Sequence, residues 1–136
     1  SVRDEVKAAA RKYDIKWLGF DPSQAELMAQ ELEQSGVPMC KVEFRGKMLD
    51  RMARDILQTF RNRKIALYDD PGLVNDLYRL TIVERSYGYK LTAISDDTGH
   101  ADRAIALAIT LPLALEIAME DVIEYEAEPE PCRVTA

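Results

Sequence analysis

The sequence predicts a mixed α/β fold, and three of its patterns support this prediction. Short apolar runs alternate with amphipathic segments through the first half of the chain, as in proteins with a partly parallel sheet. Two strand-like runs separated by a glycine turn come later, and a long apolar helix follows them. At 136 residues the chain has the usual length of one domain and can bury a real core.

The first half of the chain predicts three helices and two strands. Helices are expected over 2–13, 24–34 and 48–61, and strands over 15–20 and 39–44. In each helical segment the apolar residues recur every three or four positions, which places them on one face. Asp21 and Pro22 form the junction between the first strand and the second helix, and Ser23 is the expected N-cap of that helix.

The second half begins with less regular structure and ends in the clearest helix. The expected elements are a short strand or extended piece over 65–68, a turn over 69–72, a helix over 73–80, strands over 81–86 and 89–94, a polar loop over 95–101 and a helix over 102–119. Tyr87 and Gly88 form the expected hairpin turn. Residues 1–119 are therefore interpreted as a domain and residues 120–136 as an acidic tail.

The charge pattern excludes nonspecific nucleic-acid binding by the whole surface, because the net charge is −6. The charges are segregated, however: seven bases lie between Arg45 and Lys64, and seven acids with no base lie between Glu116 and Glu130. No apolar stretch has the length of a membrane span, and no secretory leader is visible. Two cysteines, Cys40 and Cys132, are too few for a disulfide framework, so we expect reduced cysteines and a cytoplasmic location.

Asp21 is the first candidate for chemistry. It directly follows an apolar strand-like run, and open α/β sheets bind their ligands at the carboxyl ends of strands. The same position also suits a residue that caps the following helix. The local sequence therefore leaves two roles open for Asp21, a ligand and a cap.

The second candidate is the stretch 96–103, which contains three carboxylates and the only histidine of the chain. Asp102 lies at the start of the long helix, where the helix dipole stabilises a negative charge and an oxygen ligand for Mg²⁺ or Mn²⁺ is well placed. The alanines that follow allow this helix to lie close against a sheet. An N-cap role for Asp102 is the alternative, and His100 ranks below Asp102 as a ligand.

The basic helix near the middle of the chain is a candidate nucleic-acid surface. Its cations lie mostly off the apolar face set by Met52, Ile56 and Phe60, and they are Arg51, Arg54, Arg61 and Lys64. Such a face can contact DNA phosphates, or it can be a solvated surface. The sequence contains no G-x-S-x-G, no P-loop and no G-x-G-x-x-G motif, so a serine hydrolase or a nucleotide-binding cradle is not supported.

Taken together, these segments resemble the C-terminal nuclease domain of phage terminase large subunits, the DNA-packaging motor proteins. The matching segments, in order, are WLGFDP at 17–22, VEF at 42–44, the basic helix before KIAL at 64–67, DDP and LVNDL within 69–77, a strand pair, and GHADRAIALA at 99–108. The likeness covers about residues 5–115, and the last motif is specific only in combination with Asp21.

The resemblance implies an RNase H-like fold, a mixed sheet flanked by helices, with an acidic cluster that binds two divalent ions. Two metal ions about 4 Å apart would activate water and stabilise the leaving oxygen during phosphodiester hydrolysis. Asp21 would match the second metal-ligating acid of the family and Asp102 the third, with Asp97 as an accessory ligand. The implied partners are double-stranded viral DNA, the portal and the small terminase subunit, in the cytoplasm of a bacterial host that carries a phage or prophage.

The chain departs from the family pattern at its first acid. That acid lies on an antiparallel meander which precedes the first helix in the family and has no counterpart here, and Asp4 and Asp14 are poor substitutes because they lie on or beside that helix. We therefore expect a partial nuclease domain that is weakly active or inactive by itself and that self-associates through its exposed edge. A non-catalytic interaction module and another RNase H-like nuclease, such as a resolvase or transposase core, are the alternatives.

Overall fold

The computed structural model describes residues 1–94 and 100–122 of the chain. These residues form five helices and four strands, so the predicted mixed α/β class is confirmed. In chain order the elements are α1 (Val2–Lys12), β1 (Leu18–Phe20), α2 (Pro22–Gln34), β2 (Met39–Lys41), α3 (Gly46–Arg61), α4 (Pro71–Tyr78), β3 (Leu80–Arg85), β4 (Gly88–Ala93) and α5 (Asp102–Val122).

The four strands form two separate pairs among the described residues, where the sequence led us to expect one mixed sheet. β1 and β2 pair in parallel, with Gly19 opposite Cys40, and the helix α2 connects them. β3 and β4 form an antiparallel hairpin in which Ile82 lies opposite Leu91. The parallel pairing and the late hairpin both follow the predicted pattern, and helices rather than further strands lie between the pairs.

α3 and α5 hold the two strand pairs around one core. Val42 beside β2, Met52 on α3 and Ala108 on α5 are completely buried and belong to the same apolar cluster as Leu91 of β4. A Cβ atom at Gly19 would lie 2.9 Å from Cγ2 of Ile109 on α5, so only glycine lets β1 approach this helix so closely. Ala104 and Ala108 near the start of α5 are completely buried, in agreement with the predicted close approach of this helix.

An Asp-Pro pair begins two of the helices. The Asp21 carboxylate accepts a hydrogen bond from the backbone N–H of Ser23 at 3.0 Å and caps α2, and Pro22 occupies the first turn. The prediction of Ser23 as the cap was wrong, because the hydroxyl of Ser23 donates to the same Asp21 oxygen. Asp70 caps α4 in the same way through the N–H of Gly72 at 2.9 Å, where we had expected only a turn.

The structure decides between two alternatives at 65–68 and corrects the hairpin turn. Residues 65–68, expected as a short strand or an extended piece, form no strand, and their backbone connects α3 to α4. The hairpin turn consists of Ser86 and Tyr87, and Gly88 already begins β4 at a φ of +128°. A contact with α3 favours glycine at position 88, because a Cβ there would lie only 3.0 Å from Cγ of Asp50. Oδ1 of Asp50 accepts a hydrogen bond from the N–H of Tyr89 at 2.7 Å.

Cys40 is disulfide-bonded in the structure, contrary to the expectation of reduced cysteines. Cys132, the other cysteine of the sequence, lies outside the described residues, as does most of the predicted acidic tail. The Cys40 side chain is buried in the core beside β1.

Candidate functional site

A polar cavity of about 480 Å³ lies between α4, the start of α5 and the segment before it. Its lining residues are Gly72, Asn75, Asp76, Arg79, His100, Asp102 and Arg103. The sequence predicted one of these, Asp102, as a site residue, and it ranked His100 below Asp102 as a ligand. The remaining polar residues come from α4 and the first turn of α5, and they determine how Asp102 is presented.

Asp76 is the buried centre of this cavity wall, with 5% of the residue exposed. Its Oδ2 accepts a hydrogen bond from the backbone N–H of Arg103 at 2.9 Å, and its Oδ1 accepts one from Nη1 of Arg79 at 3.4 Å. The N-cap position of α5 is Ala101, which has no side-chain acceptor. Asp76 therefore accepts a hydrogen bond from the first turn of α5, as an N-cap side chain would, although it lies on the neighbouring helix α4. This bond connects α5 to α4.

Arg103 extends from the first turn of α5 across Gly72 at the start of α4. A Cβ at Gly72 would lie 2.7 Å from Cζ of Arg103, so the missing side chain of Gly72 leaves the space in which the guanidinium lies. Nε of Arg103 is 3.9 Å from Oδ2 of Asp70, a distance too long for a hydrogen bond. The Arg103 side chain is 58% exposed, which leaves its charge accessible from solvent.

Asp102 is exposed at the mouth of the cavity, and its carboxylate forms no hydrogen bond or ion pair within the described ranges 1–94 and 100–122. Because Asp76 satisfies the N–H of Arg103, the Asp102 carboxylate is not used for capping. Its position in the first turn of α5 places its negative charge at the positive end of the helix dipole. The capping role that the sequence left open for Asp102 is therefore filled by another residue.

Asp21 lies at the predicted place, at the carboxyl end of β1, but it does not line the cavity. Its Oδ1 is occupied by both the N–H and the hydroxyl of Ser23, the latter at 2.8 Å. Its Oδ2 makes no hydrogen bond or ion pair with any described residue. Asp21 is thus a helix cap that retains one carboxylate oxygen for an external ligand.

The contact between β1 and α5 lies some distance along α5 from Asp102. Gly19 meets α5 at Ile109 and Leu113. On a helix that rises about 1.5 Å per residue, these positions lie about 10 Å and 16 Å from Asp102 along the axis. Asp21 follows Gly19 by two residues and lies outside the cavity that Asp102 lines.

Within the two described ranges, no group of three or more histidine, cysteine or acidic side chains is arranged to hold a metal ion. Asp97, the predicted accessory ligand, lies outside these ranges. The donors at the two predicted positions, Oδ2 of Asp21 and the carboxylate of Asp102, are hard oxygen ligands without a hydrogen bond or ion pair to a described residue, and the positive charge of Arg45 acts on Asp21. They fit Mg²⁺, which takes one or two carboxylates and keeps several of its waters.

Three of the four cations predicted to contact DNA face solvent. Arg54 on α3 is 45% exposed and paired with Asp50 at 3.0 Å, and Arg61 and Lys64 are exposed at and beyond the end of the same helix. The exposed basic residue Lys47 lies at the beginning of α3 and extends the row. Positions 47, 54 and 61 are seven residues apart, which on an α-helix places them on one face.

Arg51, the fourth predicted DNA contact, is held inside the protein. Its side chain is 15% exposed and lies between α3 and α5, where Nη1 is 2.8 Å from Oε1 of Glu116 and Nη2 is 3.3 Å from the carbonyl oxygen of Pro112. Nε is 3.5 Å from Oδ2 of Asp55 one turn along α3. The position gives Arg51 a structural role, and the nucleic-acid surface proposed below uses the other three cations.

Asp55 is the strained member of this group, which we call the α3–α5 charge network (Arg51, Asp55 and Glu116). Burial raises the pKa of Asp55 above its ordinary value, and the opposing effect of Arg51 does not cancel this increase. Its Oδ2 is buried without a hydrogen bond. The network thus joins the two central helices at the cost of an incompletely compensated carboxylate.

The sequence did not single out Asn75, Asp76 or Arg79, because Asn75 and Asp76 lie in a short helix whose spacing indicates only amphipathicity and Arg79 directly follows that helix. The repeated Asp-Pro pair could have identified Asp70 as a cap and Gly72 as a first-turn residue. The bond from Arg103 to Asp76 spans 27 positions and has no local pattern.

Among residues 1–94 and 100–122, none of the helices has the length and apolar character needed to cross a membrane. Comparisons of the chain with protein-family models, with curated proteins and with solved structures found no significant match.

Proposed function

We propose that this chain is part of a divalent-metal-dependent endonuclease of the kind found in phage terminase large subunits. The observation that carries the proposal is the carboxylate of Asp102, exposed at the mouth of a polar cavity and free of internal partners. A carboxylate that is exposed and has no hydrogen-bond or ion-pair partner among the described residues is accessible to an external ligand. Its place at the start of the predicted last helix agrees with the motif that supports the resemblance.

Asp102 and Asp21 are the residues proposed to hold the metal. When bound, Mg²⁺ or Mn²⁺ supplies an activated water and neutralises charge on the cleaved phosphodiester. The Asp76 bond to the N–H of Arg103 fixes the first turn of α5 and hence the direction of Asp102. Ser23 similarly fixes Asp21 by occupying one of its oxygens, so that Oδ2 alone is presented outward.

The exposed basic row on α3 is proposed to hold the DNA duplex. Lys47, Arg54, Arg61 and Lys64 present positive charge on a protein of net charge −6. Phosphate contacts of this kind provide affinity without sequence preference and weaken as salt is raised. In the proposed assembly the portal and the small terminase subunit are protein partners, and the DNA is concatemeric viral DNA.

Nicking of a supercoiled plasmid in Mn²⁺ tests the proposal. The family site has three acids, of which this chain matches two, so we expect slow nicking by the wild type, abolished by EDTA. The substitutions Asp102→Asn and Asp21→Asn should abolish it, whereas Asp69→Asn, which removes an equally exposed acid near α4, should not. Wild-type nicking that is unchanged by EDTA, or equal nicking by Asp102→Asn, would contradict the proposal.

A protein-binding function is the second candidate, and a specific observation favours it. An apolar notch of about 310 Å³ lies between α1 and α2, and three of its lining residues are Val2, Leu27 and Met28. Leu27 is 73% exposed, and α1 contributes no buried residue. Exposed apolar surface of this kind is typical of contact sites. If this is the main function, Leu27→Asp should abolish self-association measured by sedimentation, and Asp102→Asn should change neither association nor nicking.

A further inference from the structure

We propose that Arg103 and Asn75 bind a phosphate group of a nucleic-acid backbone inside the cavity between α4 and α5. Both side chains line the cavity, and neither was assigned a role by sequence. The substrate class rests on the proposed nuclease function, whereas the anion-binding chemistry rests on the cavity itself. Arg103 supplies a charged, planar set of N–H donors, and the Asn75 amide supplies a neutral donor.

The position of Arg103 is the first support for this site. A surface arginine ordinarily moves among many conformations, but this one lies over Gly72, which leaves it room, and near Asp70, which attracts it. The 3.9 Å separation from Asp70 is too long to use up the donors of the guanidinium. The chain thus places a cation at the cavity and leaves its hydrogen-bonding capacity available.

The second support is that Asp76 in the cavity wall has hydrogen-bond partners, whereas the side chain of Asn75 has none among the described residues. The buried Asp76 is occupied by the N–H of Arg103 and by Arg79, so its charge is compensated by structural partners. Asn75 is exposed on the adjacent position of α4, and its side chain makes no hydrogen bond with the described part of the chain. A guanidinium and an amide with unused donors in one cavity match the oxygens of a phosphodiester.

Asp102 adds a constraint that a purely structural cavity would not have. Its carboxylate lies on the same cavity and repels an anion when no metal is present. Asp102→Asn should therefore tighten metal-free binding of DNA, about 3-fold for a screened pair at the surface. The same substitution should abolish nicking, so binding and cleavage would move in opposite directions.

NMR titration of the full 136-residue chain in EDTA is the experiment. A 12-base-pair DNA duplex should shift the side-chain amide of Asn75 and the Nε–H of Arg103. Arg103→Gln should weaken binding about 10-fold and reduce the salt dependence by about one phosphate contact. The affinity of Arg103→Lys for DNA should lie between those of the wild type and Arg103→Gln, because an ammonium keeps the charge but loses the planar donors. Gly72→Ala should weaken binding by displacing the guanidinium.

The control is Arg11→Gln on α1, which removes the same charge from an exposed residue outside the cavity. It should bind DNA nearly as well as the wild type. An equal loss in Arg11→Gln and Arg103→Gln would mean that net charge alone matters, and would overturn the proposal. Unchanged affinity in Arg103→Gln would overturn it as well.

A parallel titration with inorganic phosphate distinguishes the two sources of the anion. Shifts of Asn75 and Arg103 by the duplex at micromolar concentration, with phosphate effective only at millimolar concentration, support a nucleic-acid backbone. Response to phosphate alone would overturn that assignment. Since the titration contains no metal, its failure is separate from a failure of Mn²⁺-dependent nicking.

Discussion

The helix α5 is joined to its neighbours by two arginine–carboxylate groups that use the same chemistry to different effect. Near its beginning, Asp76 binds Arg79 and the N–H of Arg103, and both carboxylate oxygens have partners. Farther along, Arg51 lies between Asp55 and Glu116, and one oxygen of Asp55 is buried without a hydrogen bond. The first group lies in the wall of a cavity, next to the exposed carboxylate of Asp102. The second group lies between α3 and α5.

The two carboxylates differ in burial and in partners. Oδ2 of Asp55 is buried without a hydrogen bond although Asp55 pairs with Arg51, because packing between two helices has removed it from water, and the raised pKa of Asp55 records that cost. Asp102 lacks a partner although it is exposed, because Asp76 has taken over its structural task. Asp102 lines a cavity and is exposed, so its carboxylate is accessible to a ligand, whereas Asp55 is held between two helices.

Of the substitutions in these two groups, removal of Asp76 is expected to lower the free energy of unfolding most. Asp76→Ala leaves the N–H of Arg103 and the Arg79 guanidinium without this buried partner, and should lower the free energy of unfolding by about 3 kcal/mol. Urea denaturation measures it. Asp69→Ala, an exposed neighbour, should change stability by less than about 0.5 kcal/mol. A loss below about 1 kcal/mol for Asp76→Ala would show that α5 does not depend on this cap.

Arg51→Ala is expected to rank second. It leaves the carboxylates of Asp55 and Glu116 without their shared cation, but both retain some solvent contact, so we expect a loss of about 2 kcal/mol. The measurement is the same urea titration, with Arg54→Ala as the control on the exposed face of α3. DNA affinity should fall no more in folded Arg51→Ala than in Arg54→Ala. A selective loss of affinity in Arg51→Ala would restore the DNA contact that the sequence predicted.

Asp55→Asn should have the smallest effect and a defined pH dependence. The folded-state pKa of Asp55 is raised, so the folded protein takes up this proton more readily than the unfolded chain, and the penalty of the charged form is present at neutral pH. The neutral variant should be more stable than the wild type at pH 7, by less than about 1 kcal/mol. This advantage should vanish as pH falls below the ordinary value of 3.8. An advantage that grows on acidification would contradict the assigned direction.

Local patterns in the sequence were sufficient for the elements and for two of the candidate acids. Alternating apolar runs predicted β1, β2 and the hairpin, and Asp21 and Asp102 lie at the element ends where they were expected. Such features depend on neighbours within a few residues, which the sequence displays directly. The lengths of β1 and β2 were overestimated, whereas β3 and β4 have the predicted length and are shifted by one residue.

The cavity wall and the position of Arg51 depend on contacts between distant residues. Arg51 and Glu116 are 65 positions apart, and the sequence shows only the pair of Arg51 with Asp55 one turn away. In the sequence, Arg51 cannot be distinguished from the exposed arginines of α3, because its burial depends on the packing of α5 against this helix. The same limit applies to Asp76, whose partner in α5 can be identified only after the helices are assembled.

Mn²⁺-induced broadening of backbone amide signals tests the central claim, that Asp102 and Asp21 hold one divalent-metal site. At substoichiometric Mn²⁺ the amides of Ser23 and Arg103 should broaden together, because each follows a proposed ligand within two residues. Asp102→Asn should abolish the broadening of both amide signals. The control Asp69→Asn should leave both signals broadened. Broadening at only one of the two positions, or persistence of both in Asp102→Asn, would contradict a shared metal site.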